Sequence, residues 1–209
     1  VFLYTHTGTH IDALNHFGVD GAIYNGFTAK EHLGSRNWTK GGVDTIPPII
    51  ARTVLLDIAK LKGVQCLEDS YAITVEDIED ELRRTGLTIG QGDVVFVRTG
   101  RMAFWPDGSK ALGNPPGLSL DASRWLTAQG ISVIGADQEC VEVGPSHHED
   151  NWLPGHCHFL AEAGVPMIEL LNLEELSADD VNEFCVIAAP IRLKGATGAP
   201  IRPMALKLS

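Results

Sequence analysis

The sequence predicts an α/β fold, a single domain built around one mixed sheet. Three observations carry this. Short apolar runs suited to buried strands alternate with capped segments of helical periodicity. The alternation is not a regular βαβ series, and no GxGxxG, P-loop or internal repeat marks another architecture. At 209 residues, 44% hydrophobic and 21% charged, the chain is long enough for one sizeable core, and one domain spanning 1–209 is the expectation.

The elements follow in order. Residues 17–50 read as loop, punctuated by Gly18, Gly21, Gly26, Gly34 and Gly41-Gly42 and closed by Pro47-Pro48. Phe17, Tyr24, Phe27 and Trp38 lie within it, so it is a candidate pocket wall or lid, with His32 read as a surface histidine. Val54 to Ile58 suits a buried strand. Thr74-Val75-Glu76-Asp77 has the form of a capping box, and Ile78 and Leu82 repeat at helical spacing until Gly86. Val94 to Arg98 is a second strand, with Thr99-Gly100-Arg101 at its end.

Asp121 is expected to cap a helix from Ala122 to about Gln129, ended by Gly130. A third strand runs from Ile131 to Ile134. Phe159 to Ala163 reads as helical, and Val165 to Ile168 as a strand that delivers Glu169. An acid at the end of an apolar run is costly unless it is paired or binds a metal.

Charge and cysteine usage narrow the function. A formal net charge of −11 disfavours nucleic acid and anionic membrane as partners, which an acidic surface repels. No apolar run of about 18 residues is present to span a bilayer. Cys66, Cys140, Cys157 and Cys185 are scattered and form no CxxC pair, so they read as free thiols of a reducing, cytoplasmic compartment.

The chemistry concentrates in His6-Thr7-Gly8-Thr9-His10-Ile11-Asp12-Ala13-Leu14-Asn15-His16. Three imidazoles and a carboxylate fall within eleven residues, with no Lys or Arg among them. In an extended segment, residues i and i+2 share a face, so His10 and Asp12 can converge on one ion. Gly8 permits the turn that would return His6 to the same point. Imidazole nitrogen with carboxylate oxygen suits Zn, Mn or Fe(II), and the absence of a Cys here argues against a closed structural zinc site. His16 is read as a proton-transfer group beside the metal, with ligation as the other role open to it.

HTGTHIDALNHF resembles the HxGTHxDxPxHF signature of the cyclase family of metal-dependent amide hydrolases, the kynurenine formamidase and isatin hydrolase type. Leu14 stands where the family commonly has Pro, a change to a loop rather than to a ligand. IPPIIARTVLLDIAK, YAITVEDIEDEL, GDVVFVRTG, GISVIGADQECVE, GVPMIELLNLEEL and APIRLKGATGAPIRPMAL are similar to family blocks in family order. The resemblance implies a swivelling β/β/α fold and a homo-oligomer. Family members also carry residues ahead of the motif, and Val1 is not an initiator Met, so a leader is expected to be missing here.

The resemblance further implies a late metal-binding His about one helix ahead of a metal-binding Glu. Glu169 matches the Glu, and LPGH matches the His best at His156, with His158 as second choice. His147-His148, beside Glu149-Asp150, reads as a solvated turn.

These parts suggest a hydrolase in which one or two Zn2+ or Mn2+ ions lower the pKa of bound water toward about 7. His6, His10, Asp12, His156 and Glu169 would hold the metal, and His16 would shuttle the proton to the leaving nitrogen of a small amide. The alternatives are a metal-dependent lyase, dehydratase or cyclase, and a non-catalytic metal- or ligand-binding homologue. No GxSxG motif appears, and a Cys157–His nucleophile pair lacks an orienting third group. Tyr71, Arg98 and Arg101 read as structural or surface residues rather than substrate contacts.

Overall fold

The computed structural model describes residues 2–207, so Val1, and with it the expected leader, lies outside the described residues. An eight-stranded mixed sheet organises the chain: β1 (His10–Asp12), β2 (Ile49–Asp57), β3 (Val94–Arg98), β4 (Val133–Ala136), β5 (Met167–Glu169), β6 (Glu183–Ala188), β7 (Gly198–Pro200) and β8 (Met204–Leu206). Their spatial order is β7-β1-β5-β4-β3-β2-β6-β8. The central four, β2 to β5, are parallel to one another. β1 and β7 at one end and β6 and β8 at the other pair antiparallel.

Both faces of the central strands are buried, which is why they read as unbroken apolar runs. Val95, Val97, Ile134, Ala136 and Met167 pack on one face against Ile78, Leu126, Phe159 and Leu160 from the helical layer. Val94, Phe96, Val133 and Ile168 point to the other face, where they meet Ile11, Leu171, Leu173, Phe184 and Val186. The helical layer consists of α1 (Val75–Thr85), α2 (Leu120–Ala128) and α3 (Pro154–His156), the last continuing as a π-helix over Cys157–Ala163.

The capping box forms: Asp77 N donates to Thr74 Oγ1 at 3.2 Å, and Thr74 N to Asp77 Oδ2 at 3.0 Å. Elsewhere boundaries move. Ser119, not Asp121, caps α2 by accepting from Ala122 N at 3.2 Å, so the helix starts two residues earlier, at Leu120. The first central strand begins at Ile49, directly after Pro47-Pro48, and ends at Asp57, whose side chain turns the chain by capping a short helix, Ile58–Leu61. The expected Ile131–Ile134 and Val165–Ile168 strands are displaced to Val133–Ala136 and Met167–Glu169. The helix expected over Phe159–Ala163 begins five residues earlier, at Pro154.

The strand ends β2 and β3 carry a buried charge cluster. Arg98 Nη1 donates to Asp57 Oδ1 at 2.8 Å, and its Nε and Nη2 donate to Glu174 at 3.0 and 2.8 Å. Asp57 also accepts from Lys60 N at 3.0 Å and Ser177 Oγ at 2.5 Å. Arg101 is held by Asp69 and by the carbonyls of Lys110 and Asn114, and the Tyr71 hydroxyl donates to Asp77. All three expected structural side chains are thus engaged by the protein itself. No helix among the described residues is long and apolar enough to cross a membrane.

Candidate metal centre

β1 is only three residues long, and register gives it its chemistry. His10 lies opposite Glu169 of β5, and Asp12 opposite Met167. Ile11 points to the core on the face away from the helical layer, so His10 and Asp12 face the helical layer together, on the side shared by Met167 and Glu169. α3 packs on that side and brings His156 over the strands. His6 arrives through the turn at Gly8, which takes φ 59°. On the far side of β1, Gly198 lies opposite Asp12, and a Cβ there would come within 2.6 Å of His6 Cε1. Only glycine leaves room for that ring.

The five expected ligands converge. His6 Nδ1 is 2.7 Å from Asp12 Oδ1, and His10 Nε2 is 3.4 Å from both Asp12 Oδ1 and Glu169 Oε2. His156 Nε2 is 3.6 Å from Asp12 Oδ2 and 3.3 Å from Glu169 Oε1. His16 Nε2 stands 3.8 Å from Asp12 Oδ2, its ring stacked 4.2 Å from that of His6. Two ligand groups result, His10–Asp12–Glu169 and His6–Asp12–His16, each with its ligand atoms within 4.8 Å of one another, and Asp12 belongs to both.

The other candidates lie elsewhere. His158 is held by Thr127 Oγ1 at 2.8 Å and Glu162 at 2.9 Å, away from the cluster. His147 and His148 are exposed. Cys157 contacts Asn151, and no Cys–His pair forms there among the described contacts.

The proton positions show what the cluster is built for. His10 Nδ1 is 2.8 Å from Gly8 O, and a carbonyl oxygen only accepts, so this nitrogen carries the hydrogen. His156 Nδ1 meets the carboxylate of Glu142, which fixes the same tautomer. In their neutral forms both rings therefore aim an Nε2 lone pair at carboxylate oxygens, an arrangement that is repulsive without a positive charge between them.

The carboxylates are likewise unsatisfied. Asp12, 1% exposed, has no hydrogen-bond partner at either oxygen, nor has Glu169 Oε1. The 2.7 Å approach of His6 to Asp12 is close but not aligned as a hydrogen bond. Buried polar atoms are rarely left in this state. Nitrogen and oxygen donors facing one point, with two orphaned acids, fit a divalent cation of the Zn or Mn kind.

The titration behaviour has the same origin. Burial lowers the affinity of His10 for a proton, but Asp12 and Glu169 outweigh it and raise the ring to about 10. Burial likewise opposes charging His156, yet Asp12, Glu142 and Glu169 hold it well above its ordinary value. Asp12, against its own burial, is held well below the usual carboxylate range by His10, His156 and His6. The cluster demands positive charge and takes protons if nothing else supplies it. His16 differs: burial dominates and lowers it to about 4, so it is neutral at pH 7.

Two residues that sequence reasoning did not single out, and one carbonyl of the expected turn, complete the surroundings. Thr197 Oγ1 is 2.8 Å from His6 Nε2, Glu142 braces His156, and Gly8 O orients His10. Phe17, from the expected wall loop, packs its ring 4.8 Å from His156 and 6.2 Å from Trp152, which is largely exposed at the rim.

Comparisons with known proteins agree in fold and family. The "Putative cyclase" (Cyclase) family model matches residues 1–143. An isatin hydrolase of Roseibium aggregatum is 24% identical over 211 residues, covering 96% of this chain and 71% of the relative. A kynurenine formamidase of Bacillus cereus is 25% identical over 197 residues, covering 94% and 74%. A crystal structure described as a novel cyclase superposes with a TM-score of 0.88 at 30% identity, covering 99% of this chain and 69% of that one. With more than half of its length matched by the family model, this chain belongs to the cyclase family.

Proposed function

We propose that the chain is a metal-dependent hydrolase that cleaves a non-peptide C–N bond, a cyclic amide or an N-formyl or aryl amide, in a small molecule. The observation that carries this reading is the pair of buried, unpartnered carboxylates, Asp12 and Glu169, faced by imidazole lone pairs. The named relatives, an isatin hydrolase and a kynurenine formamidase, support the bond type.

His6, His10, Asp12, His156 and Glu169 would hold the cation, Zn2+ or Mn2+. When bound, a divalent cation supplies Lewis acidity, polarising an amide carbonyl and lowering the pKa of water toward about 7. The two acids offset its charge, and the three rings fix its position. His16, neutral at pH 7 and 27% exposed at its side chain, is free to take a proton from water and return it to the leaving nitrogen. Phe17 and Trp152 form an apolar rim that would exclude water and receive a flat substrate.

Asp12 sits in both ligand groups, which favours two cations sharing it. In that case His16 becomes a ligand, and the two roles separate experimentally. Association into a homo-oligomer and residence in the cytoplasm, suggested by four free cysteines, belong to the same proposal.

The test is metal analysis of protein purified without chelator, joined to assays on isatin and N-formylkynurenine. Turnover lost on chelation and restored by Zn2+ or Mn2+ is the expected result. Absence of any bound metal overturns the proposal. His16→Ala should abolish turnover with the metal-to-chain ratio unchanged; a ratio that falls by one assigns His16 as a ligand instead.

A further inference from the structure

Glu142 is a third buried carboxylate beside the cluster, 2% exposed, in the segment that follows β4. Its Oε1 accepts from His156 N at 3.0 Å, its Oε2 accepts from Gly155 N, and the carboxylate also meets His156 Nδ1. The fit is closed: a Cβ on Gly155 would collide with the Glu142 carboxylate. Capping the backbone at the start of α3 needs no charge, because Ser or Asn accepts from such N–H groups as well. Placing another acid beside Asp12 and Glu169 is unfavourable by like-charge repulsion. The charge therefore calls for a partner of its own, and that partner is the imidazole.

We infer that Glu142 is a positioning residue, holding His156 in the Nδ1–H tautomer and at the ring angle that presents Nε2 to the cation position between Asp12 and Glu169. This rests on the metal-centre reading above. His10 is oriented in the same sense by a neutral carbonyl, Gly8 O, so His156 is the ring whose basicity a charged partner increases. In Glu142→Gln the amide oxygen still accepts from the backbone of α3. Its NH2, however, can donate to Nδ1, driving the proton to Nε2, where it blocks the lone pair.

The experiment measures Zn2+ affinity by competition with a chromophoric chelator, and reads the His156 tautomer in Zn2+-loaded protein from nitrogen chemical shifts of 15N-labelled histidine. Glu142→Gln is expected to bind Zn2+ about 10–100-fold more weakly. Its unfolding midpoint in chelator should stay close to that of the unaltered protein, and Glu142→Asp, which keeps the charge, should recover part of the affinity. Unchanged affinity and an unchanged tautomer in Glu142→Gln overturn the inference and leave a helix cap only. Should that variant not fold, the unaltered protein decides alone, since a hydrogen on Nε2 of His156 in the Zn2+-loaded state also overturns it. If the unaltered protein binds no Zn2+, the metal-centre reading itself fails.

Discussion

Asp57 and Asp12 are the last residues of two strands of one sheet, and both are excluded from solvent, at 0% and 1% exposure. Asp57 is met by a guanidinium, a hydroxyl and a backbone amide, each placed by the protein. Asp12 is ringed by four histidines and has no aligned donor at either oxygen. The same residue type, equally buried, is complete in one place and open in the other. Burial and charge alone therefore do not mark the candidate site; a buried acid with both oxygens unmet and imidazoles around it does.

That contrast can be broken at several strengths. Arg98→Leu leaves Asp57 and Glu174 without their shared cation and should cost about 3–5 kcal/mol of folding stability by urea unfolding. Asp12→Asn, measured in chelator, should cost less, because no aligned donor is lost and only the attraction of the protonated rings disappears. Similar losses in both would erase the distinction.

The next effect is that of the ion. Zn2+ at a hundred times its dissociation constant should stabilise the protein by about 2.7 kcal/mol. That corresponds to roughly 5–10 °C in melting temperature for a domain of this size, and Asp12→Asn should abolish the shift. A cation that raises the melting temperature of Asp12→Asn equally would be bound elsewhere.

Thr197→Val removes the hydroxyl beside His6 Nε2 and should weaken Zn2+ binding about tenfold, or 1.4 kcal/mol, with Thr197→Ser close to unchanged. The smallest effect concerns Asp77, a carboxylate of the satisfied kind. Against its burial, Lys62 and the Thr74 N–H hold it below the usual carboxylate range. Such a group stabilises the fold above its unfolded pKa, and the contribution disappears as pH falls through its folded pKa. Asp77→Asn should therefore cost about 1 kcal/mol at pH 7 and progressively less below pH 4, in thermal melts across pH. A cost that stays constant with pH would mean that the charge contributes nothing.

What the sequence made legible follows the range of the interactions. His6, His10 and Asp12 are recognisable because a turn and strand parity bring neighbours in sequence together, although β1 is too short and polar to register as an apolar run. The central strands β3 and β5 are visible because both of their faces are buried. Ser119 and Asp121 are both good caps two residues apart, and only the backbone decides between them. His156 and His158 differ by which way a helix packs: one faces β1 and β5, the other Thr127 on α2. Glu142 and Thr197 were not legible, because a single acid or hydroxyl carries no periodicity, and their partners lie 14 and 191 residues away.

The Thr197–His6 contact and the pairing of β7 beside β1 have a consequence for synthesis. His6, the first of the proposed ligands in the chain, has its hydrogen-bond partner and its place beside Gly198 only once β7 is present. A nascent chain halted before residue 197 can carry every donor of the cluster and still leave His6 unanchored. Full affinity at the proposed centre should therefore require residues 197–200 as well as the residues that supply its donors.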